Sequence, residues 1–241
     1  MGLPLNPPGA RIPGSTVEAQ KLRSISARWW IGTALGSNLI LAGVILVVRG
    51  ADVHGVSLAL AATARVAFLW FFAAYTGGPL AALFGPRFQP LKILGRELGL
   101  AFAAALLVHL ALVGWLCWIG APPPFGVFAF FGPVAGLTFI LAILSFGNLR
   151  AMIGTRSWQL MRIVAMNVIL YAFLKDFLQH PLGDGIRHIV EYLPFVAMGI
   201  AAPLLRLTAW TLRIRHVSNQ LTSSERLRNS APIFPSDTPK P

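Results

Sequence analysis

The sequence predicts an all-α, polytopic membrane helix bundle of about six transmembrane helices, with the N-terminus and the C-terminus both cytoplasmic. Three observations carry this. The first is a mean hydropathy of +0.68 with only 12% charged residues across 241 positions. A soluble domain carries roughly a quarter charged residues and could not cover itself with so few. The second is a series of apolar runs, each near the ~20 residues that a helix needs to cross a bilayer. The third is a strong asymmetry in where the basic residues fall. Lipid offers the backbone no hydrogen-bond partner, so each run must be a helix. The ~10-residue alternating segments of a transmembrane β-barrel are absent from the pattern.

Residues 1–28 form a basic tail, with Pro4, Pro7, Pro8 and Pro13 near its start and Arg23 and Arg28 at its end. It has no apolar core of the secretory kind, so the first run is expected to stay as a helix. That run is Trp29–Val48. The second is about Leu58–Phe84 and the third Leu98–Ile119. A turn at Pro122–Pro124 leads to the fourth, Phe125–Phe146. The fifth is Trp158–Leu178 and the sixth about His188–Leu207. Residues 29–210 thus make the transmembrane domain. Residues 211–241 gain Ser, Thr, Pro and Arg and form a flexible basic C-terminal tail. Trp29, Trp30, Trp118, Trp158 and Trp210 fall near span ends, where amphipathic rings prefer to sit.

The net charge of +12 is explained by position. Fifteen of the twenty basic residues lie on one side, in the two tails, in the loops after the second and fourth spans and, as Arg206, at the end of the sixth span. Two, Arg49 and Arg187, lie on the opposite side, and Arg65, Arg162 and Lys175 lie within spans. Such a bias places the rich side in the cytoplasm. The charge is therefore a topology and lipid-headgroup signal, and no nucleic-acid partner is implied. The partner is a lipid bilayer, in the reading of a multi-pass inner cell-membrane protein. Cys117 is the only cysteine, which excludes an internal disulfide. No glycine fingerprint or P-loop marks a flavin or nucleotide site in this chain.

Ionisable groups inside spans are costly and are functional candidates by default. His109 is the sharpest, mid-span among Leu106, Leu107, Val108, Leu110 and Ala111. It reads either as an axial haem ligand or proton relay, or as an interhelical hydrogen bond. Arg162 lies close enough to the inner interface for its side chain to reach headgroups. Asn167 sits between it and the adjacent Lys175 and Asp176, which point ~100° apart on a helix. His180 and His188 flank the outer loop, but spacing places no third metal ligand beside them. Gly32-x-x-x-Gly36 and Gly132-x-x-x-Gly136 are expected to pack within the bundle.

One order of residues resembles a known family. Gly78-Pro79-Leu80-Ala81 ends the second span, and Arg96-Glu97-Leu98-Gly99-Leu100 opens the third with His109 thirteen residues after Arg96. Ser145 ends the fourth, and Gly154, Arg156 and Trp158 lead into the fifth. This resembles the ferric reductase-like transmembrane domain over roughly residues 58–180. Within it, the pattern looks most like the bacterial haem-binding membrane subunit of the periplasmic methionine-sulfoxide reductase system.

The resemblance implies a b-type haem subunit passing electrons across the membrane to or from an external redox partner, at most as the electron-transfer part of an oxidoreductase. It implies His109 as a haem ligand. It also implies histidines at two fifth-span positions, where this chain has Arg162 and Lys175. A guanidinium stays charged and is not an iron ligand. Lysine could ligate only when deprotonated. The alternatives are a haem-free scaffold or partner subunit derived from the family and, third, a small transporter with a polar path through Arg65, His109 and Asp176.

Overall fold

The structure, a computed structural model, describes residues 13–145, 154–179 and 186–230. Side chains are described for 27–145, 154–178 and 191–215. Arg150, His180 and the ends of both tails lie outside the described residues, as do the side chains of Arg187 and His188. Every long element is an α-helix, and no strand occurs among the described residues.

Helix α1 runs Pro13–Arg49 and α2 Val53–Phe84. A 3-10 turn, Gly85–Phe88, and the short α3, Gln89–Ile93, form the inner corner. Then follow α4 (Gly95–Trp118), α5 (Phe125–Ser145), α6 (Thr155–Gln179) and α7 (Ile186–Ser230). Among the described residues, five stretches are long and apolar enough to cross a membrane: Ala27–Arg49, Val53–Ile93, Gly95–Trp118, Phe125–Ser145 and Glu191–Arg215. Helix α6 has 25 residues, about 37 Å of helix, and is not one of the five. Both end helices run beyond the apolar runs, α1 starting at Pro13 and α7 continuing to Ser230.

Local chemistry sets the helix ends. After α1, Gly50 takes a φ of 93°, a conformation that stops the helix and that glycine adopts without a Cβ clash. Asp52 then caps α2, its carboxylate accepting from the Gly55 N–H at 2.8 Å. At the other end of α4, Arg96 Nε donates to the Ser145 carbonyl at 3.1 Å, so the start of α4 holds the last turn of α5.

Helices α1, α2 and α4 make the tightest part of the bundle, through small side chains. Ala34 and Ala42 of α1, Ala59, Thr63 and Ala67 of α2, and Ala101 and Ala105 of α4 are all buried. Without a hydrophobic force between helices in lipid, close backbone approach supplies the van der Waals gain. Asn38 is fully buried in α1, and its Nδ2 donates to the Ala34 carbonyl at 3.0 Å.

The glycine pairs behave otherwise than expected. A Cβ on Gly32, Gly36, Gly132 or Gly136 would meet nothing within 4 Å, so these are not the close approaches. One close approach is at Gly77, where a Cβ would stand 2.7 Å from the Leu91 carbonyl oxygen of α3. Gly77→Val is expected to destabilise the protein by about 1–3 kcal/mol through overpacking against backbone, read as a lowered unfolding midpoint in detergent. Gly78→Val, whose Cβ meets open space, is the control.

A second cluster joins α2 to α6 and α7. Phe68 is fully buried and packs edge-on to Phe177 (centroids 5.1 Å apart) and Phe173 (5.3 Å). Phe71 reaches Phe102 at 5.3 Å. Below this cluster, Tyr75 Oη donates to Asn167 Oδ1 at 2.9 Å, and Asn167 Nδ2 donates to the Ile163 carbonyl. Asn167 is thus a cross-link between α2 and α6. Trp29, Trp118 and Trp210 are exposed near helix or span ends, as expected of interfacial rings. Trp158 is buried, and Trp30 packs on Trp70 at 5.8 Å.

Candidate functional site: an intramembrane cavity at His109

Helices α2, α4, α5 and α6 enclose a cavity of about 380 Å³, with Tyr192 of α7 at its edge. Along α2 it runs from Ser57 to Ala67, about 15 Å of helix. Its volume falls in the usual range for cofactor and small-molecule sites, about 300–1,000 Å³. The walls are mainly apolar and aromatic, with Phe102, Phe128, Phe131, Phe173 and Phe177 among the lining residues. Ser57, His109, Thr138, Asp176 and Tyr192 bring the side-chain heteroatoms.

The cavity exists because α5 packs loosely. Its apolar stretch is only 6% buried, against 50% for that of α4. Thr138 is the one buried residue of α5, its hydroxyl turned back onto the Val134 carbonyl at 3.0 Å. The remaining walls are rigid: α2 and α4 are locked by their small residues, and α6 by the aromatic cluster.

His109 projects from α4 toward this space, and one edge of its ring is fixed. Nδ1 lies 3.3 Å from Oγ1 of Thr63, which is fully buried in α2. That hydroxyl already donates to the Ala59 carbonyl at 2.8 Å, with the Leu60 carbonyl at 3.1 Å. Its proton being used, it accepts from the imidazole, so Nδ1 carries the ring proton. Nε2 is then left with its lone pair on the edge away from α2. A hydrogen bond at one nitrogen that fixes the tautomer and orients the other is how proteins present imidazole to a metal.

The other sequence candidates are dispersed. Arg162 is exposed and does not line the cavity. Lys175 Nζ lies 3.7 Å from the centroid of the Phe130 ring on α5, a cation–π contact outside the lining. Asp176, one position on, is the ionisable α6 residue that lines the cavity. Arg65 is drawn to α7: its Nη2 is 3.2 Å from Glu191 Oε2, and its guanidinium lies 4.5 Å from the Tyr192 ring centroid. The structure therefore brings His109 and Asp176 to one cavity and leaves Arg65, Arg162 and Lys175 outside its lining. Sequence reasoning missed Thr63; a hydroxyl in an apolar span, on the helix next to the histidine, was the available signal.

Thr63→Val keeps the shape and removes the acceptor. It is expected to weaken any metal-centred group held by His109 about 10–100-fold, read by titrating that group into the protein. Compared with known proteins, the chain matches no family model, no curated sequence and no solved structure.

Proposed function

We propose that the chain is a ferric reductase-like protein of the inner cell membrane that holds a b-type haem in this cavity, with His109 as the axial ligand. It serves as an electron-transfer subunit for an external redox partner. The observation that carries the reading is the anchored imidazole: Thr63 holds one edge of the ring, and His109 lines a cavity of cofactor size. The residues present fit the group. Apolar and aromatic walls suit the faces of a macrocycle, and one imidazole nitrogen is free to bind iron. When bound, the haem supplies one-electron chemistry, while the chain supplies the ligand and a dry, low-dielectric pocket.

In this reading α6 is the fifth of six spans. Its length suffices, and its polar groups have protein partners or lie near its ends: Asn167 bonds Tyr75, and Lys175 rests on Phe130. Both termini are cytoplasmic, which follows from fifteen basic residues on that side against two.

The test is the absorbance spectrum, oxidised and reduced, of protein purified from haem-replete cells. A Soret band with a reduced α band is expected. A colourless protein overturns the reading and leaves a haem-free membrane scaffold. The topology is tested separately with reporter fusions. Those after Leu94 and at the C-terminus are expected to report cytoplasm, and one after Ala121 the opposite side.

A further inference from the structure

We infer that the α5–α6 wall facing His109 supplies no second iron ligand, so that the cavity admits a small exogenous ligand such as carbon monoxide or cyanide beside the haem. This rests on the haem reading above and goes beyond it, since the resemblance implies histidines on α6.

The α6 face that lines the cavity is made of Ile169, Ala172, Phe173, Asp176 and Phe177. Only Asp176 among them carries a side-chain heteroatom, and a carboxylate is not among the usual haem ligands. The two positions where the resemblance implies histidines are turned elsewhere. Arg162 is exposed, and Lys175 sits on the Phe130 ring. Met161 and Met166, whose thioethers could ligate iron, do not line the cavity. On α5, the lining residues are apolar apart from Thr138, whose hydroxyl is spent on its own helix.

Tyr192 is the remaining ligand type at the cavity edge. Its ring lies under the Arg65 guanidinium and packs on Phe177 at 6.0 Å, which ties it into the outer cluster. The loose packing of α5 leaves space rather than a ligand opposite His109. A small molecule with a lone pair fills such a position by donating it to iron, with no bond broken.

The test uses the full-length protein from haem-replete cells. Carbon monoxide is added to the dithionite-reduced form and cyanide to the oxidised form. Both additions are expected to shift the Soret band, and Lys175→Ala and Tyr192→Phe are expected to leave the starting spectra unchanged. In a His109→Gly variant the band is expected to be lost and to return with added imidazole. A band present but unmoved by both ligands overturns the inference while the haem reading stands. A starting spectrum altered by Lys175→Ala or by Tyr192→Phe does the same, by identifying a second protein ligand. Absence of any band in the unaltered protein overturns both.

Discussion

Replacing His109 by alanine is expected to abolish the Soret band while leaving the bundle folded. The loss should be complete rather than partial, because His109 is the only imidazole among the described residues that line the cavity. The bundle should survive for a separate reason. The ring's polar contact is to Thr63. Thr63 keeps its own bonds to the Ala59 and Leu60 carbonyls when the imidazole is gone, so no buried donor is orphaned. The measurement is the ratio of Soret to protein absorbance, with helical circular dichroism on the same sample. A retained band would show that another residue holds the iron.

Phe68→Ala is expected to cost about 2–3 kcal/mol, the largest stability effect of any single truncation in the bundle. In a soluble core a buried Phe→Ala costs about 3–5 kcal/mol, from lost transfer out of water plus the void left behind. Inside a bilayer the unfolded reference keeps its apolar groups in lipid, so the transfer part largely drops out. The void remains, together with the ring contacts to Phe177, Phe173 and Phe195. Each such pair is worth about 0.5–1.5 kcal/mol. Reversible unfolding in mixed micelles reads the difference. Phe125→Ala, at an exposed ring at the start of α5, should change it little.

Much of the bundle was legible because apolar length and turn chemistry are local properties. The runs beginning at Trp29, Leu58, Leu98 and Phe125 became long helices, and the Pro122–Pro124 turn separates α4 from α5 as expected. Asp52 and Gly50 mark their helix ends in the same local way. The rotation of each helix about its axis is another matter. Spacing shows that Gly32 and Gly36 share a face, yet it cannot say whether that face turns inward. The structure turns Ala34 and Asn38 inward instead.

The same limit applies to Lys175 and Asp176. They point ~100° apart, and only the packing of α6 against α2 and α5 decides which of them meets the cavity. His109 was singled out as the polar group in mid-span, and the structure places it half-buried in the lining of the cavity. Its partner came from another helix, forty-six positions earlier, and no pattern within α4 could name it.

The unequal packing of the bundle also bears on how such a protein can change over generations. Three helices, α1, α2 and α4, form a foundation in which enlarging a buried small residue such as Ala34, Ala59 or Ala105 collides with its neighbours. Helix α5 is a stave clasped at its inner end by Arg96 and otherwise lightly held. Substitutions along its inner face can therefore resize the cavity without disturbing the foundation. A lineage can acquire or lose an occupant by rewriting one helix, while the part of the chain that keeps it folded stays as it was.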